Sequence, residues 1–191
     1  MATASAPVPG TRKSRKKEPL GVTTGTSKTG EEVFTFFYGT DTPFSQFHPA
    51  QFEVKGQQYN CAEQYMMHQK AVVFGDDEMA AKILASTIPK EQKSFGRSVS
   101  NFNADRWTSE CRDVVKEGNR AKFSQNKELL EALLATKGTT LVEASPRDTI
   151  WGIGLGAKNE KALDRKQWRG TNWLGEALTQ VREELLKENG Q

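Results

Sequence analysis

Histidine and cysteine are scarce in this chain of 191 residues, which contains two of each. Neither the histidines His48 and His68 nor the cysteines Cys61 and Cys111 occur at the spacing of a metal-ligand pair, so no metal site is predicted. Two cysteines are also too few for a disulfide framework. Their small number favours a reducing compartment and therefore an intracellular location.

Long apolar runs and the common nucleotide-binding glycine motifs are absent as well. No stretch of 18 or more apolar residues occurs, so no membrane-spanning helix is predicted. The first residues lack the apolar core of a secretory signal. Neither a GxGxxG sequence nor a Walker loop is present, and Gly152-Ile-Gly-Leu-Gly156 lacks the required spacing. No cofactor is expected.

The positive charge of the chain is concentrated near its start. Residues 1–30 contain six Lys and Arg and one Glu, a charge of +5, so the total of +3 leaves −2 for residues 31–191. The first segment is poor in large apolar side chains, which predicts a disordered basic tail over residues 1–30 and one domain over residues 31–191. The cluster Arg12–Lys17 is typical of a nuclear-import signal or a nucleic-acid patch. Alternatively, it belongs to a plain solubilising tail.

Hydrophobic patterns after residue 31 predict a single α+β domain that is predominantly helical and has a few short strands. Helices are expected over residues 60–74, 78–84, 89–96, 104–123, 127–135 and 174–187. Strands are expected over residues 34–38 and 140–144 and in a hairpin over residues 52–59, with a further short segment at 149–154 broken by glycines.

The first predicted helix places an acid and an amine on one face. Glu63, Met67 and Lys70 lie at positions i, i+4 and i+7, and Asn60 is a favourable N-cap residue. A buried lysine can act as a nucleophile, and a nearby carboxylate can move its protons. The alternative is structural: Glu63 completes a capping box with Asn60, and Lys70 is a solvated lysine near the helix end.

The segment from Asp148 to Gly154 combines an acid, an aromatic residue and two glycines. Gly152 and Gly154 allow the backbone to approach a ligand closely, and Trp151 can stack on a nucleobase. A turn aspartate and a core tryptophan are the alternative interpretation.

Additional candidates lie in one loop and at the start of the last helix. Phe44, Ser45 and Phe47 bring aromatic rings and a hydroxyl group together in the loop before the hairpin. Asn172 is either the N-cap of the last helix or part of an anion site formed by the free backbone N–H groups there. Trp107 is interpreted first as a core residue.

Several motifs, in this order, resemble the NADAR family (NAD- and ADP-ribose-associated), which includes bacterial N-glycosidases that act on riboflavin-pathway intermediates. The resemblance covers residues 34 to about 186. Its main stretches are Pro43-Phe-Ser-Gln-Phe47, Tyr59-Asn-Cys-Ala-Glu-Gln-Tyr-Met-Met-His-Gln-Lys-Ala71, Leu141-Val-Glu-Ala-Ser145, Asp148-Thr-Ile-Trp-Gly-Ile-Gly-Leu155 and Gly170-Thr-Asn-Trp-Leu-Gly175.

The resemblance implies cleavage of the bond between C1 of a ribose and a base nitrogen, with Lys70, Glu63 and Asp148 as catalytic residues and a lysine Schiff-base intermediate. The implied substrate is ADP-ribose attached to guanine, in nucleic acid or in a nucleotide. Phosphoribosylamino-pyrimidines are the alternative substrate, and a non-catalytic ADP-ribose-binding module is the alternative function. No sequence feature indicates an oligomeric state. The residues expected to bind substrate are Phe44, Ser45, Phe47, Gln64, Trp107, Trp151, Gly152, Gly154 and Asn172.

Overall fold

A mixed sheet, a short hairpin and six helices form the domain in the computed structural model, which describes residues 21–190. The strands are β1 (Val22–Thr26), β2 (Val33–Phe37), β3 (Phe52–Val54), β4 (Gln57–Tyr59) and β5 (Thr140–Glu143). In the three-stranded sheet, β2 lies between an antiparallel β1 and a parallel β5. Strands β3 and β4 form the antiparallel hairpin that the sequence predicts.

The helices confirm the predicted α+β class with its predominance of helix. They are α1 (Ala62–Val73), α2 (Asp77–Ala85), α3 (Pro89–Arg97), α4 (Ala104–Ser124), α5 (Lys127–Leu134) and α6 (Trp173–Glu188). Two short 3₁₀ helices, Glu160–Leu163 and Arg165–Gln167, precede α6. Among the helices between residues 21 and 190, none is both long and apolar enough to cross a membrane.

Strand β2 is buried on both faces and connects two hydrophobic cores. Phe34 and Phe36 pack with Val142 in the smaller core. Phe37 points the other way and belongs to the larger core, which the helices cover. A strand buried on both sides shows a continuous apolar run rather than an alternating pattern, which explains the aromatic sequence of β2.

The disordered tail predicted over residues 1–30 ends too late, because its last ten residues include a strand. Residues 22–26 form β1, which pairs with β2 from Val22 opposite Phe37 to Thr26 opposite Val33. The strand is rich in threonine and glycine and mostly exposed, so it lacks the apolar alternation by which strands are predicted. Its position is determined by the free hydrogen-bonding edge of β2. Residues 1–20 of the predicted tail lie outside the described part of the chain.

The N-cap of helix α1 lies one residue later than predicted. Cys61 is the N-cap, and its Sγ accepts a hydrogen bond from the backbone N–H of Gln64 at 3.4 Å. The Gln64 side chain in turn accepts a hydrogen bond from the backbone N–H of Asn60 at 2.8 Å. The capping-box interpretation of Glu63 is therefore wrong, because Gln64 fills that position.

Close packing between α1 and α4 depends on a glycine. A Cβ atom at Gly118 would overlap with the ring of Tyr65, whose hydroxyl donates a hydrogen bond to Glu117 at 2.6 Å. We expect Gly118→Ala to lower the free energy of unfolding by about 1–3 kcal/mol, because overpacking outweighs the better helix propensity of alanine. Urea denaturation measures the change. Asp113→Ala, at an exposed position of the same helix, is the control; an equal stability change in both variants would contradict the packing argument.

Candidate active site

A cavity of about 950 Å³ lies between α1, α3 and the loops that follow β2 and β5. Its volume suits a nucleotide-sized ligand. Aromatic walls are contributed by Phe47, Trp107 and Trp151. The charged residues that line the cavity are Glu63, Lys70, Lys93, Arg97, Glu143, Arg147 and Asp148.

Helix α1 presents the predicted face to this cavity. Glu63, Met67 and Lys70 all line it, which agrees with the i, i+4, i+7 spacing. The first six residues of the helix are buried because α1 packs against α2, α3 and α4. An acid and an amine are thus held on a buried helix and point into one pocket.

Glu63 is only 5% exposed, and its carboxyl group forms no ion pair within residues 21–190. Burial raises the pKa of Glu63 to about 7, an effect that the charges of Lys93 and Arg97 oppose and that of Asp148 reinforces. At neutral pH the group is therefore divided between its acid and carboxylate forms, as a group that transfers protons requires.

The amine of Lys70 lies beside two aromatic rings. Its Nζ is 4.4 Å from the ring centroid of Phe102 and 6.0 Å from that of Trp107. Burial lowers the pKa of Lys70, the neighbouring charge of Arg97 lowers it further, and Glu63 opposes the shift. The neutral, nucleophilic form of the amine is therefore more accessible than in a solvated lysine.

Glu143 is a third carboxyl group of the cavity that sequence reasoning missed. It ends β5, where its backbone N–H donates to Asn172 Oδ1 at 3.0 Å and its carbonyl accepts from Ile153 at 3.0 Å. Its Oε2 is buried and has no hydrogen-bond partner among the described residues. Burial, followed by the charge of Asp148, raises the pKa of Glu143 to about 7. A polar residue at the end of a buried strand is the signal that could have identified it.

Asp148 is both a turn residue and a residue of the cavity, the two interpretations that the sequence left open. Its Oδ1 accepts hydrogen bonds from the backbone N–H groups of Ile150 at 2.9 Å and Trp151 at 2.8 Å, as in a turn. The same side chain also lines the cavity. Trp151 packs edge-on against Trp173, with ring centroids 5.8 Å apart, and still reaches the cavity wall.

The structure brings most of the predicted site residues together. Those that line the cavity are Ser45, Phe47, Glu63, Lys70, Trp107, Asp148 and Trp151. Phe44 instead belongs to the larger core, where it packs between Phe37 and Phe123. The Gln64 amide points away from the cavity and donates to the carbonyls of Ile83 and Leu84.

The remaining predicted residues shape the loop behind the cavity. A Cβ atom at Gly152 would lie 2.9 Å from the carbonyl oxygen of Glu143. Gly154 adopts a left-handed conformation with φ of 67°, which favours glycine. Asn172 is fully buried, and its amide donates to Leu141 O at 3.0 Å and accepts from Glu143 N. It occupies the N-cap position of α6 without a capping side-chain bond, since its amide connects α6 to β5.

The fold and the cavity together define a small α+β domain of the NADAR type. The NADAR domain family model matches residues 36–186, and the chain belongs to this family. The predicted resemblance is thereby confirmed.

Several relatives are similar over most of the chain. Protein irg-1 of Caenorhabditis elegans is 41% identical over 170 residues, which cover 81% of this chain and 80% of that protein. N-glycosidase R617 of Acanthamoeba polyphaga mimivirus is 43% identical over 164 residues, or 80% and 96% of the two chains. The NMR structure of YbiA from Escherichia coli superposes with a TM-score of 0.69 at 28% identity and covers 91% of this chain and 94% of that one.

Proposed function

We propose that the protein is an N-glycosidase that cleaves the bond between C1 of a ribose and a nitrogen of a base. The observation that carries this proposal is that the buried acid Glu63 and the amine of Lys70 line the same cavity. Cleavage requires a proton for the departing base and a group that stabilises or attacks C1. The names of the relatives N-glycosidase R617 and N-glycosidase YbiA support this reaction class.

In the proposed reaction, the neutral amine of Lys70 attacks C1 while the bond from C1 to the base breaks. The bonding electron pair leaves with the base, which takes a proton from the Glu63 carboxylic acid. The Glu63 carboxylate then takes a proton from the amine and passes it to the ring oxygen as the C1–O bond breaks, which leaves a protonated imine between Lys70 and C1. Water adds to C1 and gives a proton to Glu63, which returns it to the amine; the amine then departs as the C1 hydroxyl gives its proton to Glu63, so that the free sugar, the neutral amine and the Glu63 acid are restored.

The other residues of the cavity position the substrate in this scheme. Asp148 contacts the ribose or the edge of the base, and Glu63 also contacts a sugar hydroxyl group. Phe47, Trp107 and Trp151 offer apolar surfaces on which a base can stack. The same rings exclude water from the reacting atoms, which favours a neutral amine.

The proposed substrate is ADP-ribose attached to guanine, in nucleic acid or in a nucleotide. A cavity of about 950 Å³ is large enough for the diphosphate and both riboses of such a ligand. The basic cluster Arg12–Lys17, which lies outside the described residues, supports a nucleic-acid substrate because basic residues attract phosphate backbones.

Two substrates offered in parallel test the proposal. The protein is incubated with an oligonucleotide that carries ADP-ribosylated guanine and, separately, with a phosphoribosylamino-pyrimidine, and the released base or sugar is measured by mass spectrometry. We expect faster release from the first substrate. Release from the pyrimidine alone would contradict the proposed substrate but retain the N-glycosidase reaction. Release from neither, with tight ADP-ribose binding, would identify a binding module instead of an enzyme.

A further inference from the structure

Lys122 is a fully buried lysine that the proposed reaction does not use. It lies in the last turn of α4, is 0% exposed and is not among the residues that line the cavity. Within residues 21–190 it forms no ion pair. Burial of an amine without a carboxylate partner is unfavourable, and an apolar side chain of similar volume would fill this space without that penalty. The presence of an amine here is therefore explained by the groups that it binds.

The Lys122 amine binds the loop that forms one wall of the cavity. Its Nζ donates hydrogen bonds to the carbonyl oxygen of Pro43 at 2.7 Å and to that of Ser45 at 2.9 Å. Ser45 and the next two residues, Gln46 and Phe47, line the cavity. The two bonds fix both carbonyl groups relative to α4, and they thereby fix the place from which the Phe47 ring reaches the cavity wall.

Asn119 holds the same loop from the preceding turn of α4. Its side chain is 0% exposed, and its Nδ2 donates to Gln46 Oε1 at 2.8 Å and to the carbonyl of Val115 at 2.9 Å. Positions 119 and 122 are three residues apart, so their side chains share one face of the helix. Helix α4 therefore binds the loop at three successive points, at residues 43, 45 and 46.

The loop in turn holds the start of α1. The backbone N–H of Glu63 donates to the carbonyl of Gln46 at 2.9 Å. This N–H group lies in the first turn of α1, where backbone donors have no partner within the helix. A chain of hydrogen bonds thus leads from Lys122 and Asn119 through the loop to the residue whose carboxyl group is the proposed proton donor.

The hydrogen bonds of Lys122 do not depend on its charge. Burial lowers the pKa of Lys122 to about 7, and the titratable groups whose charges interact with it are Cys61 and His48. An ammonium group has three N–H donors and a neutral amine has two. Two carbonyl acceptors need only two donors, so the loop stays bound on both sides of neutral pH.

We propose that Lys122 and Asn119 are positioning residues of the active site, which hold the loop of residues 43–47 against α4 and thereby keep Phe47 in the cavity wall and Glu63 in its buried place. Both act through the loop and not on the reacting atoms. A loop that is no longer held admits water beside Glu63, and solvation returns the pKa of a carboxyl group toward its ordinary value. The inference rests on the proposed function for the role of Glu63, whereas the restraint of the loop is independent of it.

Hydrogen exchange of the full-length protein measures this restraint directly. Lys122→Met removes the donor and keeps an unbranched apolar side chain, and Asn119→Ala removes the contact with Gln46. We expect the amides of residues 42–48 and of Glu63 to exchange at least about tenfold faster in both variants than in the unmodified protein. Val181→Ala, at a buried position of α6 that does not line the cavity, is the control. It removes methyl groups from the core, and exchange of the loop should rise no more than that of the rest of the domain.

The pH dependence of kcat/KM for base release tests the effect on the site. We expect a break near pH 7 in the unmodified protein, where Glu63 changes between acid and carboxylate. In Lys122→Met and Asn119→Ala the break should move to lower pH by at least about half a unit. At neutral pH, kcat/KM should fall by about ten- to a hundredfold. Val181→Ala should keep the normal break and rate. The groups whose charges act on Glu63 are not replaced in any of these variants; they are Lys70, Lys93, Arg97, Glu143 and Asp148.

Loop exchange within twofold of normal, or an unchanged break in the pH profile, in both α4 variants would overturn the proposal. If Lys122→Met does not fold, Asn119→Ala decides the question alone. The proposed reaction fails separately. An unmodified protein that releases no base from any substrate would refute the N-glycosidase, and faster loop exchange in the two variants would still show that α4 restrains the loop.

Discussion

Replacement of Lys70 by methionine is expected to lower the rate of base release by about a thousandfold or more, because the variant has no amine to attack C1. Methionine retains much of the apolar stem of lysine and lacks the amine that lies beside the rings of Phe102 and Trp107, so the fold should persist without the nucleophile. Steady-state rates and thermal unfolding are measured together. Lys90→Met, which removes an amine from an exposed position of α3 outside the cavity, is the matched control and should keep normal activity.

Trapping with borohydride tests the chemical role of Lys70 directly. Borohydride reduces an imine to a stable amine, so turnover in its presence should leave the sugar attached to Lys70, where peptide mass spectrometry can locate it. The Lys90→Met variant should still form this adduct. Active turnover without any adduct would remove the Schiff-base step, and a Lys70→Met variant with at least a tenth of normal activity would remove Lys70 from the mechanism.

A change of Glu63 to glutamine is expected to reduce turnover by about a hundred- to ten-thousandfold, the usual contribution of a positioned acid or base. The same change should stabilise the protein in alkaline solution. Burial raises the pKa of this carboxyl in the folded state from 4.5 to about 7. The folded state therefore holds the proton more tightly than the unfolded state, and stability falls as the pH rises from about 4.5 through 7.

The size of this stabilisation follows from the shift in pKa. At pH 8 the buried charge of Glu63 costs at most about 3 kcal/mol, which glutamine avoids. Urea denaturation at pH 4 and pH 8 should show Glu63→Gln gaining stability relative to the unmodified protein only at pH 8. Glu128→Gln, at an exposed position on α5, is the control and should show no such dependence. A stability difference that stays constant between the two pH values would contradict the raised pKa.

The helices were predictable because their signals are local. Apolar spacing along residues 104–124 and 173–188 is sufficient to predict α4 and α6 to within about a turn. Strand β1 was missed because its pairing with β2 depends on a free sheet edge. The N-cap of α1 was misplaced for a related reason. Asn60 is a better capping residue by type, but its side chain donates to the carbonyl of Ser86, a contact with a distant segment.

The site, like the fold, has features that the sequence predicts and features that depend on tertiary packing. The shared direction of Glu63 and Lys70 follows from helix geometry and could be predicted. That they share a cavity with Glu143, Arg97 and Arg147 could not be predicted. These residues lie on separate elements, and only the packing of those elements around the cavity brings them together.

The sequence by itself determined the family, the class of fold and the face of α1 that carries an acid and a lysine. Motifs and helical periodicity depend only on residues that are close together in the sequence. Tertiary structure alone decided which polar side chains face the cavity and which form hydrogen bonds with backbone groups. Asn172 and Gln64 bind main-chain groups deep in the core, while Oε2 of Glu143 has no hydrogen-bond partner in the described chain. Burial and hydrogen bonding depend on atoms brought together from distant segments, and so do the pKa values on which the proposed chemistry relies.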